Sequence, residues 1–190
     1  MIYRKVFETT AEMAAWYDAK FKEMGGCWHT PDEELDRHLD DFGLTGGSGS
    51  VMDIGCGDGS LVKRIVARGY AGHGFEISMN AIKSKDAPYL WIYDICDGPL
   101  FQPPSDYIIS LGSLEHVIDL DAALKNIHAS LKPEGRWYFY VPNELWIHED
   151  QPNERIAPDD EWISIFESHG LVTESFKRWG DCTAFQGRKA

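Results

Sequence analysis

The stretch VMDIGCGDG, Val51 to Gly59, is a short apolar run that ends in three alternating glycines at Gly55, Gly57 and Gly59. Such a run reads as a buried strand leading through a tight turn into a helix, and the glycines let a ligand approach the backbone closely. Two carboxylates, Asp53 and Asp58, flank the turn. A dinucleotide would place its pyrophosphate on the helix N-terminus, where both carboxylates would oppose it and no Arg or Lys in the turn would offset them. A ligand with a cationic group fits this stretch better.

Working outward from it, apolar runs alternate with helical patterns. Strand-like runs occur at Ser50–Ile54, Gly72–Glu76, Tyr89–Tyr93, Tyr107–Leu111 and Arg136–Val141, and helical spacing fits Ser60–Arg68, Asp121–Leu131 and Asp159–His169. KPEG at Lys132 to Gly135 stops the second helix, and WYFYV, apolar on both faces, belongs in a covered parallel sheet. LVTESFKRWG and CTAFQGRK turn through Gly180 and Asp181, the spacing of an antiparallel hairpin. The pattern predicts an α/β fold: a doubly wound, Rossmann-like, mostly parallel seven-stranded sheet ending in an antiparallel β-hairpin. GLTGGSGS, Gly43 to Ser50, reads as a linker between an N-terminal helical extension or lid (1–45) and the main domain (46–190). No Gly-Lys-Ser/Thr closes that stretch, so it is not a nucleotide P-loop. DGPLFQPPSD, between the third and fourth strand runs, reads as loop.

The 190 residues are 43% hydrophobic and 13% aromatic, enough for one domain with a sizeable core. The start of the chain is interrupted by charges and reads as no secretory signal, and no apolar run approaches the roughly 20 residues of a membrane span. Cys27, Cys56, Cys96 and Cys182 are far apart, which predicts reduced thiols in a cytoplasmic protein and no metal site. The net charge of −13 argues against nucleic acid as a partner. Acid concentrates in Glu8 to Asp41, with ten carboxylates, and in Asn143 to Glu161, with seven. These stretches are either a solvated surface or the border of a substrate mouth.

S-adenosylmethionine (SAM) carries an ammonium, a sulfonium, an adenine and a ribose diol, and the sequence offers a partner for each. Asp53, Gly55, Cys56 and Gly57 form the turn. Glu76 ends the second strand, 19 residues past Gly57, where a carboxylate can accept both ribose hydroxyls. Asp94 ends the third strand, facing the adenine amine, or caps a turn there. Ile77 and Ile95 would sandwich the adenine, and Leu111 would lie under the methionine portion. Cys56 reads as a small residue that permits close approach, with no paired base to make it a nucleophile.

VMDIGCGDG, GFEIS, YDI, DYIISLGSLEHV and LKPEGRWYFYVPNE, in that order, resemble successive motifs of the class I SAM-dependent methyltransferases, and SLEHV is most similar to small-molecule O- and N-methyltransferases of the ubiquinone-biosynthesis type. The resemblance covers about Ser50 to Lys189. It implies methyl transfer from SAM, with S-adenosyl-L-homocysteine as product, to a small-molecule acceptor. His116, just past the fourth strand, is the candidate general base, with loop packing as its alternative role. Substrate contacts are expected from Tyr17 and Trp28 in the extension and from Trp146 and His148 after the fifth strand. His73 and His128 read as structural, His38 and His169 as surface. A protein or nucleic-acid methyltransferase, a noncatalytic SAM-binding subunit and a nucleotide-dependent oxidoreductase stand as alternatives. Oligomeric state and the attacking atom are not legible.

Overall fold

In the computed structural model, which describes residues 1–82, 89–100, 103–148 and 151–190, the glycine stretch is the second strand and the turn that follows it. The elements run β1 (Ile2–Arg4), α1 (Thr10–Met24), α2 (Asp32–Asp41), β2 (Ser50–Ile54), α3 (Ser60–Ala67), β3 (Ala71–Glu76), β4 (Leu90–Ile92), β5 (Ser105–Leu111), α4 (Leu120–Ser130), β6 (Leu131–Pro142), β7 (Glu154–Ile156), α5 (Asp159–Ser168), β8 (Leu171–Trp179) and β9 (Cys182–Lys189). Single 3-10 turns lie at Ile95–Asp97 and Leu114–His116.

The main sheet has seven strands in the order β4-β3-β2-β5-β6-β9-β8. Pairings from β4 through β6 are parallel, while β9 is antiparallel to both β6 and β8. The strand order turns back between β2 and β5, and such a switch point leaves a crevice beyond the carboxyl ends of the strands. The doubly wound reading and the closing hairpin both hold.

Side-chain alternation explains why β6 is apolar throughout. Trp137, Phe139 and Val141 enter one core with α4 and α5 residues such as Ile127, Trp162 and Phe166. Tyr138 enters the other, with Leu35 and Leu39 of α2, Ile65 of α3 and Phe42. A strand covered on both faces has no polar side to show. Helix α1 begins with a Thr9–Glu12 capping box and stops at Gly25 in the left-handed region. Helix α2 sets Asp32, Asp36 and Asp40 four residues apart, so one face meets Arg64 and Arg68 of α3 at 2.5–2.9 Å. Asp41 pairs with Lys177 at 2.7 Å. Part of the first acidic stretch is therefore matched by cations.

The structure departs from the sequence reading in four places. The N-terminal extension is not helical throughout, because β1 pairs antiparallel with β7 in a separate two-stranded sheet. Strand β6 starts at Leu131, opposite Ser105, and a register irregularity follows where Glu134 takes a φ of 59°. Helix α4 is already over at Ser130, with Leu131 as its cap, so KPEG does not stop the helix but lies within the opening of the strand. Ser105 and Asp106, at the end of the expected loop DGPLFQPPSD, already belong to β5, and its first residue, Asp97, closes the short 3-10 turn; Phe101 and Gln102 lie outside the described residues. His38, expected at the surface, is 1% exposed. Helical spacing puts it on the same face as Leu35 and Leu39, and Trp179 stacks on its ring at 4.4 Å. Among the described residues no helix is long and apolar enough to cross a membrane.

Candidate functional site

A cavity of about 310 Å³ opens at the carboxyl ends of β2, β3 and β5, under α1 and α2. Its floor is the glycine turn. Gly55, Gly57 and Gly59 have φ of 74°, 53° and 79°. At Gly55 a Cβ would come within 1.9 Å of the Ser113 hydroxyl, and at Gly57 within 3.1 Å of the Cys27 sulfur. Both positions therefore need glycine for conformation as well as for space. The Gly55 and Cys56 amides donate to the Phe75 carbonyl at 2.8 and 3.1 Å, which fastens the turn to β3.

Glu76 ends β3 and reaches across to the same turn. Its Oε2 accepts from the Gly57 amide at 3.1 Å, and its Oε1 from the amides of Ile77 and Ser78 at 2.9 and 3.0 Å. Burial raises its pKa, and the three amides work against that rise. Asp53 is 2% exposed, with a buried Oδ2 that has no hydrogen-bond partner. Burial first, and the Glu76 charge second, push its pKa up to about 8. Asp58 Oδ1 accepts from the Ser60 amide at 2.9 Å and so covers a free donor in the first turn of α3. Asp94 both lines the cavity and caps the 3-10 turn, accepting from the Cys96 amide at 2.9 Å. Ile77, Ile95, Cys56 and Leu111 are lining residues as well, so the candidate cofactor residues come together in one place.

The roof comes from the N-terminal extension. Asp18 of α1 accepts from the Ser78 hydroxyl at 2.6 Å and the Asn80 amide at 2.9 Å, which ties α1 to the segment after β3. Tyr17, Phe21 and Trp28 pack edge-to-face or tilted, with centroids 5.1–6.0 Å apart, and all three line the cavity.

His116 enters from the 3-10 turn after β5 and is 5% exposed. Its Nδ1 lies 3.0 Å from the Pro152 carbonyl. A carbonyl only accepts, so Nδ1 carries the hydrogen and Nε2 is the basic nitrogen of the neutral ring. Glu115 Oε1 stands 3.7 Å from that Nε2. Burial, with the Glu154 charge adding to it, pushes Glu115 up to about 8.

Trp146 and His148 do not join the described lining of this cavity. Their loop folds back onto the β8–β9 turn: Asn143 donates to the Asp181 and Gly180 carbonyls at 2.9 and 3.1 Å, and His148 Nε2 lies 3.3 Å from Asp181 Oδ2. Of the described residues in that loop Gln151 reaches the cavity, and Glu149 and Asp150 lie outside the described residues. In their place the structure brings Glu34 and His38 of α2 and Tyr140 near the end of β6, beside His29, which the extension was expected to offer. His38 Nδ1 sits 2.9 Å from the Tyr138 hydroxyl, and burial pulls its pKa down to about 4, so its ring is neutral at pH 7. The one trace of this wall in the sequence is the helical spacing of Glu34 and His38.

The charged side chains around the cavity are Glu34, Asp53, Asp58, Glu76 and Asp94, with neither Lys nor Arg among the described lining residues. No group of three or more His, Cys, Asp or Glu positioned to hold a metal occurs among the described residues.

Known proteins match this arrangement. A family model for a methyltransferase domain fits residues 27–180. The ubiquinone biosynthesis O-methyltransferase of Idiomarina loihiensis is 29% identical over 151 residues, covering 66% of this chain and 59% of that protein. The chain spans between 51% and 59% of the length of the first two curated relatives it matches. Among solved structures, 1,6-didemethyltoxoflavin-N1-methyltransferase of Burkholderia thailandensis, with 1,6-didemethyltoxoflavin and S-adenosylhomocysteine bound, superposes with a TM-score of 0.73 at 14% identity, over 95% of this chain and 87% of that one. Magnesium protoporphyrin IX methyltransferase of Synechocystis PCC 6803 with bound SAM gives 0.70 at 13% identity, over 97% and 99%. At these identities the two structures speak for the fold.

Proposed function

Because this chain belongs to the methyltransferase-domain family, we propose that its cavity holds SAM and that it methylates an oxygen or nitrogen of a small, neutral or amine-bearing acceptor. When bound, SAM supplies an electrophilic methyl group on a cationic sulfur. The residues present suit that molecule. The glycine turn lines the cavity and lets it approach the backbone. Glu76, already fixed by three amides, presents its carboxylate where a ribose diol can donate to it. Asp53 has a buried oxygen in need of a donor, which the ammonium provides. Ile77 and Ile95 take the two faces of the adenine beside Asp94, and Leu111 supports the methionine chain.

The acceptor then meets Tyr17, Trp28, Glu34, Tyr140 and His116 of the same cavity lining. Holding its lone pair in line with the methyl supplies most of the acceleration. His116 Nε2 takes the proton that the acceptor loses, with Nδ1–H held on Pro152 so that the ring presents the right nitrogen. Trp146 and His148 are not part of this reading.

The observation that carries the acceptor class is the charge of the lining: carboxylates, aromatic faces and the neutral imidazole of His38, with no Lys or Arg among the described lining residues to meet a carboxylate or phosphate. The test is transfer of labelled methyl from SAM to matched phenols and amines with and without an added carboxylate or phosphate. Neutral and amine acceptors should be methylated and their anionic analogues refused. Efficient methylation of the anionic members alone would overturn the acceptor class.

A further inference from the structure

The turn that carries His116 is gripped by a short segment far along the chain. Pro152 accepts from the imidazole, and three residues on, Arg155 is buried at 7% exposure against the same turn. Its Nη1 donates to the Glu115 carbonyl at 3.3 Å and to the Val117 carbonyl, and its Nη2 to the Ile118 carbonyl at 3.0 Å. One guanidinium therefore ties down the backbone on both sides of His116. The segment is in turn fixed by the N-terminus. Tyr3 pairs with Arg155 in the β1–β7 register, and its ring lies under the guanidinium at 4.1 Å. Fully buried Asn153 accepts from the Val6 and Phe7 amides at 2.7 Å each and donates to the Phe7 carbonyl at 3.0 Å.

We propose that Arg155 is a positioning residue for His116, and that residues 2–7 form a strap that holds Arg155 and Pro152 against the His116 turn. This rests on the reading of His116 as the base. The physical argument is geometric. Three carbonyls splayed around a 3-10 turn match the planar fork of an arginine, and the compact ammonium of a lysine cannot meet all three at once. A loosened turn lets the imidazole drift from the acceptor, and a displacement of about 1 Å in a reacting group can cost on the order of 100-fold in rate. The glycine turn and Glu76 stand on other elements than Arg155 and Asn153, so the strap acts on His116 more directly than on cofactor affinity.

The test is Arg155→Lys, with Asn153→Ala as a second variant that slackens the strap and leaves Arg155 in place. In both, the affinity for S-adenosylhomocysteine and the KM for SAM should stay within about twofold, while kcat falls about 10- to 100-fold. The imidazole 15N signals of His116 should change from a single Nδ1–H tautomer to a mixture. Unchanged ring signals and kcat in the folded variants would overturn the proposal. So would parallel losses of cofactor affinity and kcat, which would mark general damage. If the wild type methylates no acceptor, the functional reading fails on its own, and the ring signals of the two variants still decide the positioning role.

Discussion

Replacing Asp53 by Asn changes one buried atom and should change how stability depends on pH. Asp53 is 2% exposed with an unpartnered oxygen, and its pKa rises from 3.8 to about 8, chiefly through burial. The folded state thus holds this proton more tightly than the unfolded chain does. Its contribution to stability is fully present below about pH 4 and is lost as pH climbs through about 8. Each unit in that window is worth about 1.4 kcal/mol, which sets a ceiling of about 6 kcal/mol across it. Asn cannot titrate, so that part of the slope disappears. Glu115, also raised to about 8, is present in both proteins and cancels in the comparison. In urea denaturation without ligand, the wild type should lose up to about 3 kcal/mol more than Asp53→Asn between about pH 5.5 and 8.5. A cationic ligand beside Asp53 favours the ionised form, so binding of SAM near pH 7 should release a proton, read as a dependence of the calorimetric heat on buffer ionisation enthalpy. Parallel stability profiles for the two proteins would refute the reasoning.

Gly57→Val should abolish binding of S-adenosylhomocysteine at a stability cost of about 1–2 kcal/mol, since φ is 53° and the branched side chain would press on Cys27; calorimetry and thermal melting separate the two effects. Glu76→Ala should weaken S-adenosylhomocysteine by about 1.5–3 kcal/mol, measured in the same titration. His116→Ala should leave that affinity within about twofold while lowering turnover about 10²–10⁴-fold, and the limb of the pH–rate profile that belongs to the base should vanish with it.

The parts of this molecule that the sequence shows plainly are those governed by local pattern. The β2 run and its glycines declare a strand and a turn. The two-faced burial of β6 follows from Trp137 to Val141, and Gly180 with Asp181 announces the hairpin. Glu76 stands at the end of β3, where spacing alone locates it, while Asp94 lies two residues beyond the end of β4 as the cap of a 3-10 turn. What escaped depends on contacts between distant segments. Strands β1 and β7 are three residues each, too short to carry a period, and each is defined by the other. Asp18 on Ser78 and Asn153 on Phe7 are single side chains answering distant polar groups. Trp146 and His148 sit after the right strand, but Asn143 bends their loop toward Asp181 instead of over the cavity. His38 looked like a polar residue on an acidic helix, and Trp179 claims its ring for the core.

If the glycine turn and Glu76 seat SAM, calorimetric titration of the wild-type protein with S-adenosylhomocysteine, and separately with NAD, distinguishes the two ligands. Saturable, one-site binding of S-adenosylhomocysteine is expected and none of NAD, whose pyrophosphate would meet Asp53 and Asp58 with no Lys or Arg among the described lining residues. Binding of NAD with no heat from S-adenosylhomocysteine would contradict this seating.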